Sequence, residues 1–115
     1  MVLNVLTLTG YHEIDFSLVY HLSYAKNIIT IQGDSFKYMT RGSLSTWGKK
    51  LKGMFVSIDR NTMVNVLYIK SYDPESSTLQ MPGGQEFKVS RRKQLDLRNA
   101  MSHLYHDIIP LNRIE

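Results

Sequence analysis

Three consecutive cations follow a serine at Ser90-Arg91-Arg92-Lys93, where the downstream pattern predicts the start of a helix. A helix N-terminus already carries partial positive charge, so three unpaired cations there are mildly destabilising. An anion resolves the conflict, because free N–H groups, the peptide dipoles and guanidinium forks together bind phosphate. Neutralisation by Glu86, Asp96 or solvent is the other reading of these residues. A second polar stretch, Ile58-Asp59-Arg60-Asn61-Thr62, lies between Met54-Phe55-Val56 and the apolar run from Met63. It reads as a loop presented by a rigid scaffold, a common place for binding residues. There Arg60 has the geometry to read guanine and Asn61 adenine. The residues alone favour the plainer alternative, a turn in which Asp59 and Asn61 bond their own backbone.

The distribution of charge supports an anionic partner more than its total does. Lys and Arg number 14 against 10 Asp and Glu, a formal net charge of +4. Residues 1–36 hold one cation, Lys26, and three anions, whereas Lys37, Arg41, Lys49, Lys50, Lys52 and Arg60 face Asp59 alone. Lys88, Arg91, Arg92, Lys93 and Arg98 then cluster around Asp96. Such grouping is the electrostatic footprint of a nucleic-acid binder, although ordinary solvated lysines would look the same.

Other chemistries find little support. Cysteine is absent, which removes disulfides, thiolate zinc ligation and a cysteine nucleophile. Gly83-Gly84 is a hairpin turn rather than a phosphate-binding loop, and no carboxylate pair or Ser-His-Asp set stands out by spacing. His103 and His106, with Asp107 beside them, share a helix face but lack an evident third ligand. No enzyme, metal or cofactor is therefore expected. The apolar start Met1–Thr9 is too short for a secretory signal, and no run approaches a membrane span. These features point to a cytoplasmic protein without membrane insertion.

The elements that must position the cations read as short strands. The chain of 115 residues is the size of one domain, predicted over 1–115 without linker or repeat. Strands are predicted at Val19–Tyr24, Ile28–Ile31, Phe36–Thr40, Thr78–Met81 and Glu86–Val89, and Val64–Ile69 is apolar enough to cross the core. Ala25-Lys26-Asn27 reads as a loop, and Pro82-Gly83-Gly84 as the tight turn of the most secure hairpin. Helical spacing of Leu44, Trp47, Gly48 and Leu51 predicts a short helix over Ser43–Lys52, capped by Ser43 and ended by Gly53. A second helix is predicted from about Arg91 to Tyr105, with Ser90 as N-cap and Leu97, Ala100, Met101 and Leu104 inward. Trp47 and the tyrosines read as core and sheet residues, and the tail Leu111–Glu115 as loosely ordered.

Here the pattern resembles a known family. The stretch Phe55–Ile69, with Arg60-Asn61, Val64-Asn65 and Tyr68-Ile69 in order, is similar to the LytTR signature. Gly84 followed by Phe87-Lys88-Val89-Ser90-Arg91-Arg92 resembles the family's closing strand, and the resemblance spans roughly residues 14–104. It implies a mainly β fold, an elongated sandwich of short antiparallel sheets with one short internal helix and a C-terminal helix. It also implies a bacterial transcription regulator, the output domain of response regulators including those of quorum sensing. Such domains insert loops into successive major grooves of promoter direct repeats, often with a second copy on the adjacent repeat. Carried over by position, Lys26, Asn27, Arg60, Asn61, Arg91 and Arg92 become base contacts. Charge adds Lys37, Lys49, Lys50, Ser90 and Lys93 as phosphate contacts. Asp59 departs from the family's frequent histidine and would repel phosphate unless paired with Arg60 or a cytosine amino group. Most members carry an N-terminal receiver domain, which is not seen here. The chain then reads as a stand-alone regulator or as the output part of a longer protein. A receiver-less modulator binding a partner regulator or membrane inhibitor is the alternative.

Overall fold

Alternating apolar and polar residues build most of the chain into strands, seen in a computed structural model that describes the backbone of residues 1–108 and side chains through residue 102. An opening hairpin joins β1 (Val2–Thr7) to β2 (Gly10–Asp15). Next come β3 (Val19–Ala25), β4 (Ile28–Gly33), β5 (Lys37–Arg41), helix α1 (Leu44–Lys50), β6 (Phe55–Asp59) and β7 (Thr62–Asn65). The chain continues through β8 (Ser71–Asp73), β9 (Thr78–Gln80), β10 (Glu86–Lys88) and helix α2 (Gln94–Ile108). A five-stranded antiparallel sheet, in the order β5-β4-β3-β7-β6, forms the middle layer.

Period-two alternation sends successive side chains to opposite faces, and both faces of this sheet are covered. On one face Leu22, Ile29, Ile31, Phe55 and Met63 pack with Val5 and Ile14 of the β1–β2 hairpin, with Trp47 of α1 and with Leu51 at its C-terminal cap. On the other, Val64 and Ile58 pack against Leu79, Met81 and Val89 of the β8–β10 region and Leu97 of α2. All four residues of β7 are buried, as expected of a strand with apolar layers on both sides. The result is a mainly β sandwich, and extents of 49 × 26 × 26 Å make it elongated, as the family resemblance implies.

Two small edge devices hold the outer pieces. The β1–β2 hairpin meets the edge strand β5 where Leu8 N–H donates to the Met39 carbonyl at 2.8 Å and Thr40 Oγ1 donates to the Leu6 carbonyl at 2.7 Å. At the opposite edge, Ser90 N–H donates to the Ile58 carbonyl of β6 at 2.8 Å. The hairpin β1–β2 escaped the sequence reading, which treated Met1–Thr9 only as an apolar start.

Some predicted boundaries move for physical reasons. Val64–Ile69 does not continue as one extended segment, because Asn65 Oδ1 accepts from Leu67 N–H at 3.1 Å and turns Val66–Tyr68 into a 3₁₀ turn. Ile58–Thr62 is less loop than expected: Ile58 is fully buried in β6, and only Arg60-Asn61 connects Asp59 to Thr62. The second helix begins as a separate 3₁₀ turn, Arg91–Lys93, in which the Ser90 side chain makes no capping bond. Its backbone carbonyl accepts from Lys93 N–H instead, at 3.0 Å. Ser43 does cap α1, its hydroxyl accepting from Thr46 N–H at 3.4 Å, though the helix closes at Leu51 before Gly53. Among the tyrosines, Tyr11 is exposed rather than packed. The side chains of His103, Leu104, Tyr105, His106 and Asp107, together with Pro110 and the tail, lie outside the described residues.

Candidate nucleic-acid interface

Antiparallel register decides which loops meet. The last pair between β3 and β7 is Ser23↔Thr62, so the β3–β4 turn and the β6–β7 turn sit at the same end of the sheet. Ile28 pairs with Arg41 across β4 and β5, which brings the end of β5 to that same end. Lys26 and Asn27 form the two-residue β3–β4 turn with φ of 51° and 67°. Two residues of positive φ match the type I′ geometry whose twist fits a hairpin. Arg60-Asn61 is a turn of another kind, following a register shift between Ser57 and Asp59. Asp59 Oδ1 accepts from Asn61 N–H at 2.7 Å, which pins the turn.

Main-chain hydrogen bonds link the three predicted regions. Tyr24 N–H donates to the Asn61 carbonyl at 2.8 Å, tying the first turn's strand to the second turn. The Ser90–Ile58 bond ties Arg91–Lys93 to the strand that leads into Arg60. An open groove between α1, the β6–β7 turn and the 3₁₀ turn is lined by Ser45, Ser57, Asp59, Arg60, Ser90, Arg92 and Lys93. Three cations and three hydroxyls thus face one carboxylate, and that carboxylate already accepts a backbone N–H. Among the described residues, the one ion pair joins the Met1 amine to Asp15, so Glu86 and Asp96 neutralise none of these cations by direct contact. Nor does Asp59 pair with Arg60.

Other predicted contacts are placed elsewhere. Lys37 opens β5 opposite Gln32, four residues from Arg41, hence about 14 Å away at the far end of the strand. Lys50 turns its ammonium over the Trp47 ring, 5.4 Å from the centroid, and lines a separate groove with β1. Lys49 is exposed on the last turn of α1. Arg41, part of a charge cluster in the sequence, is brought by its register to the end that holds Lys26, Asn27 and Arg60, where it lines the groove that Lys50 shares with β1. The strand-pairing register, invisible in a linear charge count, was the missing signal.

The two histidines whose side chains are described, His21 and His12, are engaged elsewhere. His21 is buried with its ring 4.9 Å from Phe87, and burial pushes its pKa down, favouring the neutral ring. His12 Nε2 bonds Thr9 Oγ1 at 3.0 Å and its ring packs on Tyr38. Among the described residues no three potential ligands gather, and no helix is long and apolar enough to cross a membrane.

Comparison with known proteins agrees with this architecture. Residues 9–102 match the LytTr DNA-binding domain family, so the match starts in the β1–β2 turn, earlier than the sequence resemblance suggested. A solved structure from Bacillus cereus, described as the LytTr DNA-binding domain of a methyl-accepting/DNA response regulator, is similar with a TM-score of 0.74 and 26% identity. The similarity covers 87% of this chain and 95% of that one. No curated protein sequence matches.

Proposed function

Because the chain belongs to the LytTr DNA-binding domain family, we propose that it is a sequence-specific, double-stranded DNA-binding regulator of transcription, presenting its clustered turns to successive major grooves. The supporting observation is that three turns distant in sequence, Lys26-Asn27, Arg60-Asn61 and Arg91–Lys93, are linked by main-chain hydrogen bonds around one end of the central sheet. Rigid placement of readers lowers the ordering cost of binding.

Arg60 and Arg92 take the base-edge role, since a guanidinium fork matches guanine O6 and N7. Asn61 and Asn27 read neighbouring bases, and Arg91 completes the third turn. Lys93 and Ser90 hold backbone phosphates beside them, and Arg41 takes a flanking phosphate from the neighbouring groove, which fixes register without reading sequence. Lys49 contributes to attraction at longer range, and Lys37 lies too far along β5 for direct contact with the same groove. The chain acts from solution on promoter repeats, with a second copy on the neighbouring repeat.

Methylation interference tests the groove. Guanine N7 lies in the major groove, so pre-methylated guanines are expected to block binding at two clusters about one helical turn apart. Interference confined to adenine N3, in the minor groove, would overturn the major-groove reading. A protein partner is the second reading, and one observation favours it. Leu6, Leu8, Tyr11 and Met39 are exposed together around the β1–β2 hairpin and β5. Contiguous apolar surface of this kind marks interaction sites.

A further inference from the structure

The groove at the cationic end is lined by a single acid. Asp59, half-buried at the end of β6, lies among Arg60, Arg92 and Lys93, yet its carboxylate pairs with none of them. Its Oδ1 accepts from Asn61 N–H at 2.7 Å, and Oδ2 has no partner among the described residues. A carboxylate carries about four lone-pair sites on its two oxygens. The bond that pins the turn therefore leaves most of its accepting capacity open.

A DNA surface offers such a group few partners. Its phosphates repel a carboxylate, and the donors it turns to the major groove are the amino groups of cytosine N4 and adenine N6. On adenine that amino group sits beside N7, whose lone pair opposes a carboxylate, whereas cytosine sets no acceptor beside its own. We propose that Asp59 is a specificity-determining residue whose free oxygen accepts from a cytosine amino group, close to the guanine met by Arg60. The bond to Asn61 already restricts the side chain, so little further ordering is needed on binding. This inference rests on the DNA-binding reading above and deepens it.

The test uses duplexes selected from a randomised pool by the unaltered chain, then every single-base variant of the best duplex. At one position in each bound repeat the unaltered chain is expected to prefer cytosine to thymine about tenfold. Thymine presents the O4 acceptor where cytosine presents its amino group. Asp59→Asn keeps an oxygen for Asn61 N–H and replaces the other with an amide donor. It is expected to bring that preference below about threefold or reverse it, at this position alone and with the melting temperature unchanged. Asp59→Ser, whose hydroxyl holds the turn more weakly, is expected to abolish the preference without reversing it. Loss of the negative charge raises affinity for every duplex, so the readout is the ratio between cytosine and thymine variants. A uniform rise with an unaltered ratio in both variants would overturn the proposal and leave Asp59 as a turn-forming residue alone. A position sensitive to Asp59 that prefers any base other than cytosine would overturn it too. Absence of sequence preference at every position would instead remove the DNA reading on which it stands.

Discussion

Replacing Arg60 and Arg92 together by alanine is expected to weaken binding to the best duplex by about 10²–10⁴-fold, or about 3–5 kcal/mol. Each guanidinium lost from a base edge costs about 1–3 kcal/mol. The two line one groove, so their losses are coupled rather than simply additive. The expected signature is selective: affinity for the best duplex falls towards that for scrambled DNA, which changes little. Lys37→Ala, at the far end of β5, serves as the control and is expected to stay within about twofold, since it leaves the base contacts intact. Titration of both duplexes by anisotropy measures this. Equal losses on both would reassign the arginines to phosphate contacts, and no loss at all would place the DNA on another face.

Asn65→Ala is expected to cost about 2–4 kcal/mol of folding stability, the largest effect predicted for a polar residue in the core. Asn65 is fully buried, and its Nδ2 donates to the Val19 carbonyl at 3.0 Å while Oδ1 accepts from Leu67 N–H. Removing the amide takes the partner from a buried carbonyl and from a partly buried N–H, which costs more than the bonds contribute when made. In a chain of this size the melting temperature is expected to fall by about 10–20 °C, as thermal unfolding followed by circular dichroism will show. A fall of less than about 2 °C would mean that water satisfies both groups, and that Asn65 does not govern the 3₁₀ turn that follows it.

These expectations show what the linear sequence carries. The β-branched and aromatic runs at Val19–Ala25 and Ile28–Gly33 announce strands because their pattern follows the pleat. Leu44, Trp47 and Leu51 announce α1 because three- and four-residue steps share a helix face. The candidate site was legible as three polar or basic segments, and the structure brings all three to one end. Their grouping was not legible, since it depends on the Ser23↔Thr62 and Ile28↔Arg41 registers and on a single bond from Ser90 to Ile58. Arg41 and Lys37 illustrate the point: similar charges four residues apart end at opposite ends of one strand. The β1–β2 hairpin went unseen because Leu6, Leu8 and Tyr11 are exposed, which blurs the alternation that reveals a strand.

Fluorescence anisotropy across a salt series, on the native upstream duplex and a scrambled duplex, tests the central claim most directly. The account predicts clear preference for the native duplex, with log affinity falling against log salt at a slope of about −3.5 to −5.5, as about four to six phosphate contacts require. Weak binding to both duplexes, without sequence preference, would contradict it and turn attention to the apolar surface at Leu6, Leu8, Tyr11 and Met39.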